Sequence, residues 1–497
     1  MILLWNLVFI YLVFINLHKK NNMKAITVIK TALIACCLLA VNLSSAFSQN
    51  NEKFMIGNWL GNIEFQGKKL PIVIRILSIE KDTFTAFMDS PDQGAKDIKI
   101  TRLLLRNDSA IIRVKSLSAS ISGLINTKDS TINGVFRQSI FNCPITLKKT
   151  ENIPTVNRPQ EPKPPFPYQI TEVNFGNMKE NIELAGTLTV PSANGKVAAV
   201  VLVSGSGPQN RDEELLGHKP FWVLADYLSR NGIAVLRYDD RGVAKSKGDF
   251  NSATSENFSN DAEAAVNYLK TLAFIDTNKI GIIGHSEGGM IAPMVASRNK
   301  NLNFIVLMAG PGLTGEEILL KQSVLISKAE GETEKEISKT DKLNKMIYKI
   351  VNEEPDNTKA AKEIKKIYDK STKKLSKEDK KLADGQKDVM IQQVTSTWFR
   401  YFLKFNPKDY LTKTHCAVLA INGGKDLQVP ADDDLKAIED YLKLAGNNKY
   451  TIKKFDNMNH LFQNCKTGAV SEYSKIEETI APEVLLFMKD WIKRITE

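Results

Sequence analysis

Histidine and cysteine are both scarce in this chain, five of each among 497 residues. So few cysteines cannot build a dense disulfide scaffold, and Cys36, Cys37, Cys143, Cys416 and Cys465 lack the spacing of a metal site. Nucleic-acid motifs are also missing. Much of the basic excess behind the net charge of +11 falls in a Lys-rich stretch at 362–381, where acids interleave at helical spacing as on a solvated helix face. A nucleic-acid partner is therefore not expected, and the charge supports at most a weak attraction to anionic surfaces. The chain lacks neither apolar residues (43%) nor charge (25%), which excludes a disordered protein and leaves an ordinary globular one of about two to four domains. No motif bears on oligomeric state.

Residues 1–48 read as a targeting region. A first apolar segment, 2–17, ends in His18-Lys19-Lys20, and a second opens at Met23-Lys24 and closes in the small residues Ser44-Ser45-Ala46. Residues 23–48 have the positive start, apolar centre and small-residue exit of a secretory signal, with Met1 or Met23 as the start and cleavage after Ala46 or Ser48. The expectation is an exported protein, periplasmic or extracellular. Leu33-Ile34-Ala35-Cys36 resembles a lipoprotein box, but the apolar run continues past it. Ordinary cleavage is thus favoured over a lipid anchor and membrane association through the N-terminus. Cys143, Cys416 and Cys465 would survive cleavage, enough for at most one disulfide.

From 50 to 150 short alternating segments recur between turn signals, at 70–77, 83–88, 98–105, 110–115 and 131–138, as in a small all-β sheet or barrel. Six prolines between Pro154 and Pro167 mark a stiff linker at 151–168. Strand patterns then alternate with helical ones through 169–314, the rhythm of a doubly wound, mostly parallel sheet. The rhythm breaks at 315–404, where helical stretches end in Trp398-Phe399-Arg400-Tyr401-Phe402, and resumes at 405–497. The interruption predicts a helical cap whose aromatics pack it onto the core or line a pocket.

One short run carries the chemistry. Lys279 to Ile283 is a short apolar strand feeding Gly284-His285-Ser286-Glu287-Gly288-Gly289, a nucleophile elbow with Ser286 at a helix N-terminus. Glycine flanks the serine because the strand–turn–helix junction leaves no room for a Cβ. Elbow hydrolases order their partners serine, acid, histidine. His18 and His218 precede the serine and His285 is locked beside it; His415 enters a strand, opposite to where active-site loops form. His460 is left, on a loop after the strand-like 449–455. The acid belongs after the strand at 417–421, where Asp426 stands. Asp432, Asp433 and Asp434 read instead as a helix N-terminus. Oxyanion donors are expected from the N–H of Glu287 and from Gly205 or Ser206, in a glycine loop after the strand at 200–203.

The motifs 205–213 (Gly-Ser-Gly-Pro-Gln-Asn-Arg-Asp-Glu), 238–242 (Tyr-Asp-Asp-Arg-Gly), 284–289 and 459–463 resemble the α/β-hydrolases, and among them bacterial secreted esterases that carry a small β domain before the hydrolase core. The resemblance implies an α/β-hydrolase core at 169–314 and 405–497, with Arg241 bracing loops. It also implies a serine carboxylesterase that hydrolyses short-chain, small-molecule esters through a Ser286–His460–Asp426 triad without metal or organic cofactor. Two alternatives stand beside it. Asp212, Glu213 and Glu214 could hold a substrate amine in a serine peptidase or aminopeptidase of the same fold, and a vestigial hydrolase could leave a ligand-binding protein.

Overall fold

A computed structural model describes residues 52–497 apart from 66–67, 81–82, 107, 139–140, 154–156 and 374. The targeting region 1–48 lies outside them. The described chain divides into two compact units, one up to residue 156 with 375–385, the other 157–374 with 386–497.

The first unit is one antiparallel sheet. Its strands are β1 (Gly57–Phe65), β2 (Lys68–Glu80), β3 (Thr83–Ser90), β4 (Ala95–Lys99), β5 (Arg102–Arg106), β6 (Ser109–Val114), β7 (Ala119–Asn126), β8 (Thr131–Gln138) and β9 (Phe141–Thr150). They lie in the order β4-β3-β2-β1-β9-β8-β7-β6-β5. Alternation sets the faces: in β9 Cys143, Ile145 and Leu147 are buried while Asn142, Pro144, Thr146 and Lys148 are exposed. The buried set packs around Trp59, whose indole N–H donates to the Met55 carbonyl at 2.8 Å. The expected strand at 98–105 is two strands, which break at buried Ile100 and exposed Thr101. β1, β7 and β9 were not among the expected segments: Gly61 interrupts the first pattern, Gly123 the second and Pro144 the third.

The second unit holds an eight-stranded sheet. It comprises β10 (Tyr168–Asn177), β11 (Ile182–Pro191), β12 (Val197–Val203), β13 (Ala234–Tyr238), β14 (Ile275–His285), β15 (Phe304–Met308), β16 (Ala417–Gly423) and β17 (Tyr450–Phe455). The order is β10-β11-β13-β12-β14-β15-β16-β17. The β10–β11 and β11–β13 pairs are antiparallel and the rest parallel. On one face Val200, Leu202, Val235, Ile283 and Leu419 pack with the helices Pro220–Arg230 and Pro482–Thr496. The alternate residues Val201 and Ile282, fully buried too, point the other way, where the helices Ser255–Lys270 and Glu287–Arg298 pack on β12, β14 and β15. This is the α/β-hydrolase fold, and residues 315–404 are helical as expected, with helices Gly315–Ala329, Glu334–Glu353, Asn357–Thr372, Lys377–Val394 and Thr397–Lys404. No helix among the described residues is long and apolar enough to cross a membrane.

The proline-rich segment departs from a free linker. Arg158 is buried and donates to four backbone carbonyls, those of Asn157, Leu216, Ser474 and Ile476, at 2.8–3.3 Å. Gln160 accepts from the amides of Thr479 and Ile480 and donates back to Ile480. Carbonyl groups of the C-terminal loops and of Leu216 take the terminal N–H groups of Arg158, so the start of this unit is pinned to its C-terminal loops.

Candidate active site

The expected residues lie on loops at the carboxyl ends of parallel strands, where open α/β sheets place ligands. Gly205 and Ser206 follow β12, Ser286 follows β14, Asp426 follows β16 and His460 follows β17. Ser286 sits at φ 54° and ψ −114°, a strained conformation for a residue with a side chain. The turn closes only because its neighbours lack Cβ atoms. A Cβ on Gly284 would lie 2.0 Å from the Gly288 carbonyl oxygen, and one on Gly288 would lie 2.0 Å from that of Val203. The Ser286 N–H donates to the Met308 carbonyl at 2.8 Å, tying the elbow to β15.

Asp426 holds His460. Its Oδ2 accepts from His460 Nδ1 at 2.7 Å, while Oδ1 accepts from the amides of Gln428 and Val429 at 2.8 and 2.9 Å. Both side chains are buried. With Nδ1 committed to the carboxylate as donor, Nε2 is the nitrogen left able to accept a proton. The competing acids are occupied: Asp432 pairs with Lys454, Asp433 with Lys321, and Asp434 accepts from the amides of Gly312 and Leu313. Burial pushes the Asp434 carboxyl up to about 7 against those two amides.

Glu287 opens the helix Glu287–Arg298, so its backbone N–H is one of the donors a helix leaves without an internal partner. Its side chain turns away, accepting from Ser255 Oγ at 2.5 Å and from the indole N–H of Trp398 at 2.9 Å, with the Ser206 side chain as a further partner. Burial raises the Glu287 pKa against these donors. A cavity of about 10 Å³, room for one water, lies between Glu287, Asp240 and Asp261 behind the Gly205 loop.

Gly205 requires a correction. It does lie against the nucleophile, since a Cβ there would sit 3.2 Å from Ser286 Cβ. Its N–H, however, donates to Glu213 Oε1 at 2.7 Å and is not directed to an oxyanion. Glu213 arises from the same loop and, being buried, takes the nearest donor to satisfy its carboxylate. Of the two expected donors in that loop, Ser206 is the one left.

The acids proposed to hold an amine are committed elsewhere as well: Asp212 to Arg237, Glu213 to Gly205 and His285, and Glu214 to Asn210. Arg241 braces, as expected, with a bidentate pair to Asp261 at 2.7 and 2.8 Å and a bond to the Asn257 carbonyl. The aromatic stretch packs the helical insertion down. Phe399 and Phe402 are buried, Trp398 stacks on Phe402 at 5.1 Å, and the Tyr401 hydroxyl donates to Glu256. Sequence reasoning missed Glu213–His285 and Trp398–Glu287; the adjacency of His285 and Glu287 to the nucleophile was the one signal available. Cys143, Cys416 and Cys465 are free thiols.

Esterase EstD of Thermotoga maritima is 28% identical over 281 residues, covering 56% of this chain and 58% of that protein. An acyl transferase of Shewanella hanedai is 32% identical over 123 residues, covering 24% of this chain and 37% of the other. The chain thus spans less than two thirds of either relative. The solved esterase Pf2001 of Pyrococcus furiosus shares 16% identity at a TM-score of 0.42, with 66% of this chain and 94% of that one covered. Residues 158–454, more than half of the chain, match the family described as X-Pro dipeptidyl-peptidase (S15 family), and the chain belongs to that family.

Proposed function

We propose that this protein is a serine hydrolase acting on carboxylic esters. The observation carrying the proposal is the buried Asp426–His460 hydrogen bond of 2.7 Å, brought beside the strained Ser286 elbow by the His285 ring, which bonds the His460 carbonyl at 3.0 Å. Ser286 attacks the ester carbonyl as His460 takes its proton. Asp426 holds the tautomer and stabilises the imidazolium. The N–H groups of Glu287 and Ser206 receive the oxyanion, and His460 returns the proton to the leaving alcohol. Water, activated by the same histidine, then hydrolyses the acyl-enzyme. None of these steps calls on a metal or an organic cofactor.

The relation to an esterase over 281 residues supports ester substrates, and the helical insertion packed near the elbow supports short acyl chains. A second reading, cleavage of peptide amides, is favoured by the family description. The commitment of Asp212, Glu213 and Glu214 to internal partners weighs against an amine pocket built from them. The secretory pattern at 23–48 supports action outside the cytoplasm.

The test is hydrolysis of p-nitrophenyl esters from acetate to laurate, beside Xaa-Pro p-nitroanilides, by the full chain and its Ser286→Ala variant. Ester turnover lost in the variant, by about 10³-fold or more, is the expected result. Comparable rates on amides would transfer the reading to a peptidase. Equal rates in chain and variant would remove Ser286 as the nucleophile.

A further inference from the structure

Three loops meet at one buried pair. Glu213 Oε1 lies 2.9 Å from His285 Nδ1 and accepts from Gly205 N–H at 2.7 Å, and His285 Nε2 lies 3.0 Å from the His460 carbonyl oxygen. The side chains are 6% and 8% exposed. The hydrogen positions follow from the partners. A carbonyl oxygen only accepts, so Nε2 carries a hydrogen; Oε1 already accepts from Gly205, which favours the ionised carboxylate and places a second hydrogen on Nδ1. Both ring nitrogens are then protonated, and the carboxylate balances the charge.

We infer that Glu213 and His285 form a buried carboxylate–imidazolium pair that positions the Gly205–Ser206 loop and the His460 loop on the Ser286 elbow. They are positioning residues for the hydrolysis proposed above, on which the inference rests. Each half reaches one neighbour of the nucleophile: Glu213 fixes the loop whose Gly205 packs on Ser286 Cβ, and His285, adjacent in sequence to Ser286, fixes the backbone of the base. The titratable groups facing His285 are Glu213, Asp426 and His460, the last with ring centroids 4.9 Å apart. Burial alone would pull the His285 pKa down; Glu213, the His460 carbonyl and Asp426 outweigh it and raise it. Both bonds to Oε1 and the burial of its side chain weigh against an amine-binding role for Glu213.

The experiment compares Glu213→Ala and Glu213→Gln in the full chain, with kcat and KM measured separately on a p-nitrophenyl ester and with ¹⁵N-histidine NMR. Misplacing catalytic groups by about an ångström costs roughly 10²-fold, so Glu213→Ala should lower kcat by about 10²-fold with KM within about twofold. Glu213→Gln offers an oxygen to Gly205 N–H and an N–H to a neutral His285, and should restore kcat to within about tenfold of the parent. The parent should show both His285 ring nitrogens protonated at neutral pH, and Glu213→Gln only one. The inference is overturned by a parent His285 with a single ring proton, by full activity in Glu213→Ala, or by Glu213→Gln performing no better than Glu213→Ala. A parent inactive on esters would sink the ester-hydrolase reading, while the NMR measurement would still decide the pair.

Discussion

The two units bury different things. Among the described residues of the β unit, Asp89 and Ser90 are the buried polar side chains, and the rest of the interior is apolar around Trp59, Ile74, Ile112 and Leu147. The α/β unit buries Glu213, Asp239, Arg241, Asp261, His285, Glu287, Asp426, Asp434 and His460, several of them beside the Ser286 elbow. Burying a charged group costs several kcal/mol unless it is paired and hydrogen-bonded. A fold that needed only stability would fill these positions as the β unit does, so the concentration of buried polar groups in this unit is what a site of chemistry, rather than stability alone, would require.

The contrast can be broken at either end. The largest effect is expected from Asp426→Asn. The amide oxygen can keep the bonds to Gln428 and Val429, but an N–H₂ then faces His460 Nδ1 and forces the wrong tautomer. Ester kcat should fall by about 10³–10⁴-fold, with KM and melting temperature nearly unchanged. A fall below tenfold would show that Asp426 does not orient the base.

In the β unit the corresponding removal is Trp59→Ala, which empties one of the largest buried side chains. A loss of about 3–5 kcal/mol in that unit's urea transition is expected, with kcat on a soluble ester retained. If kcat collapsed as well, the division of labour drawn here would fail.

The smallest effect tests the cost of a buried charge. The Asp434 carboxyl has a folded pKa of about 7 against an ordinary value of 3.8. A raised folded value means that the stability contributed by the bound proton is complete below about pH 4 and lost as pH rises through about 7. Its Oδ2 has no partner. Asp434→Asn keeps an acceptor for Gly312 and Leu313 but cannot ionise, so its unfolding free energy relative to the parent, measured by urea denaturation, should rise between pH 5 and pH 8 by on the order of 1 kcal/mol. A difference independent of pH would show that Asp434 does not titrate there.

Ser286, His460 and Asp426 could be singled out by reading along the chain, because an elbow is a local device. Strand, glycine, serine, glycine and helix lie within a few residues, and strand order limits where the partners follow. Oxyanion donors were harder. The sequence allowed Gly205 or Ser206, and only the fold brought Glu213 onto the Gly205 amide. Arg158 read as linker because its carbonyl partners lie as far as 318 residues away. Likewise, the indole of Trp398 reaches Glu287 across 111 residues, a contact no periodicity reveals.

By itself, then, the sequence determined the alternation of strands and helices, the strained serine turn and the candidates Asp426 and His460, since each rests on backbone sterics, side-chain chemistry or the order in which strands place their loops. Tertiary structure alone decided which buried carboxylate holds which donor: the Glu213–His285 pair, the docking of Arg158 and the seating of Trp398. Those choices depend on desolvation, which penalises a buried polar group that lacks a partner, and the partners exist only once distant segments have been folded together.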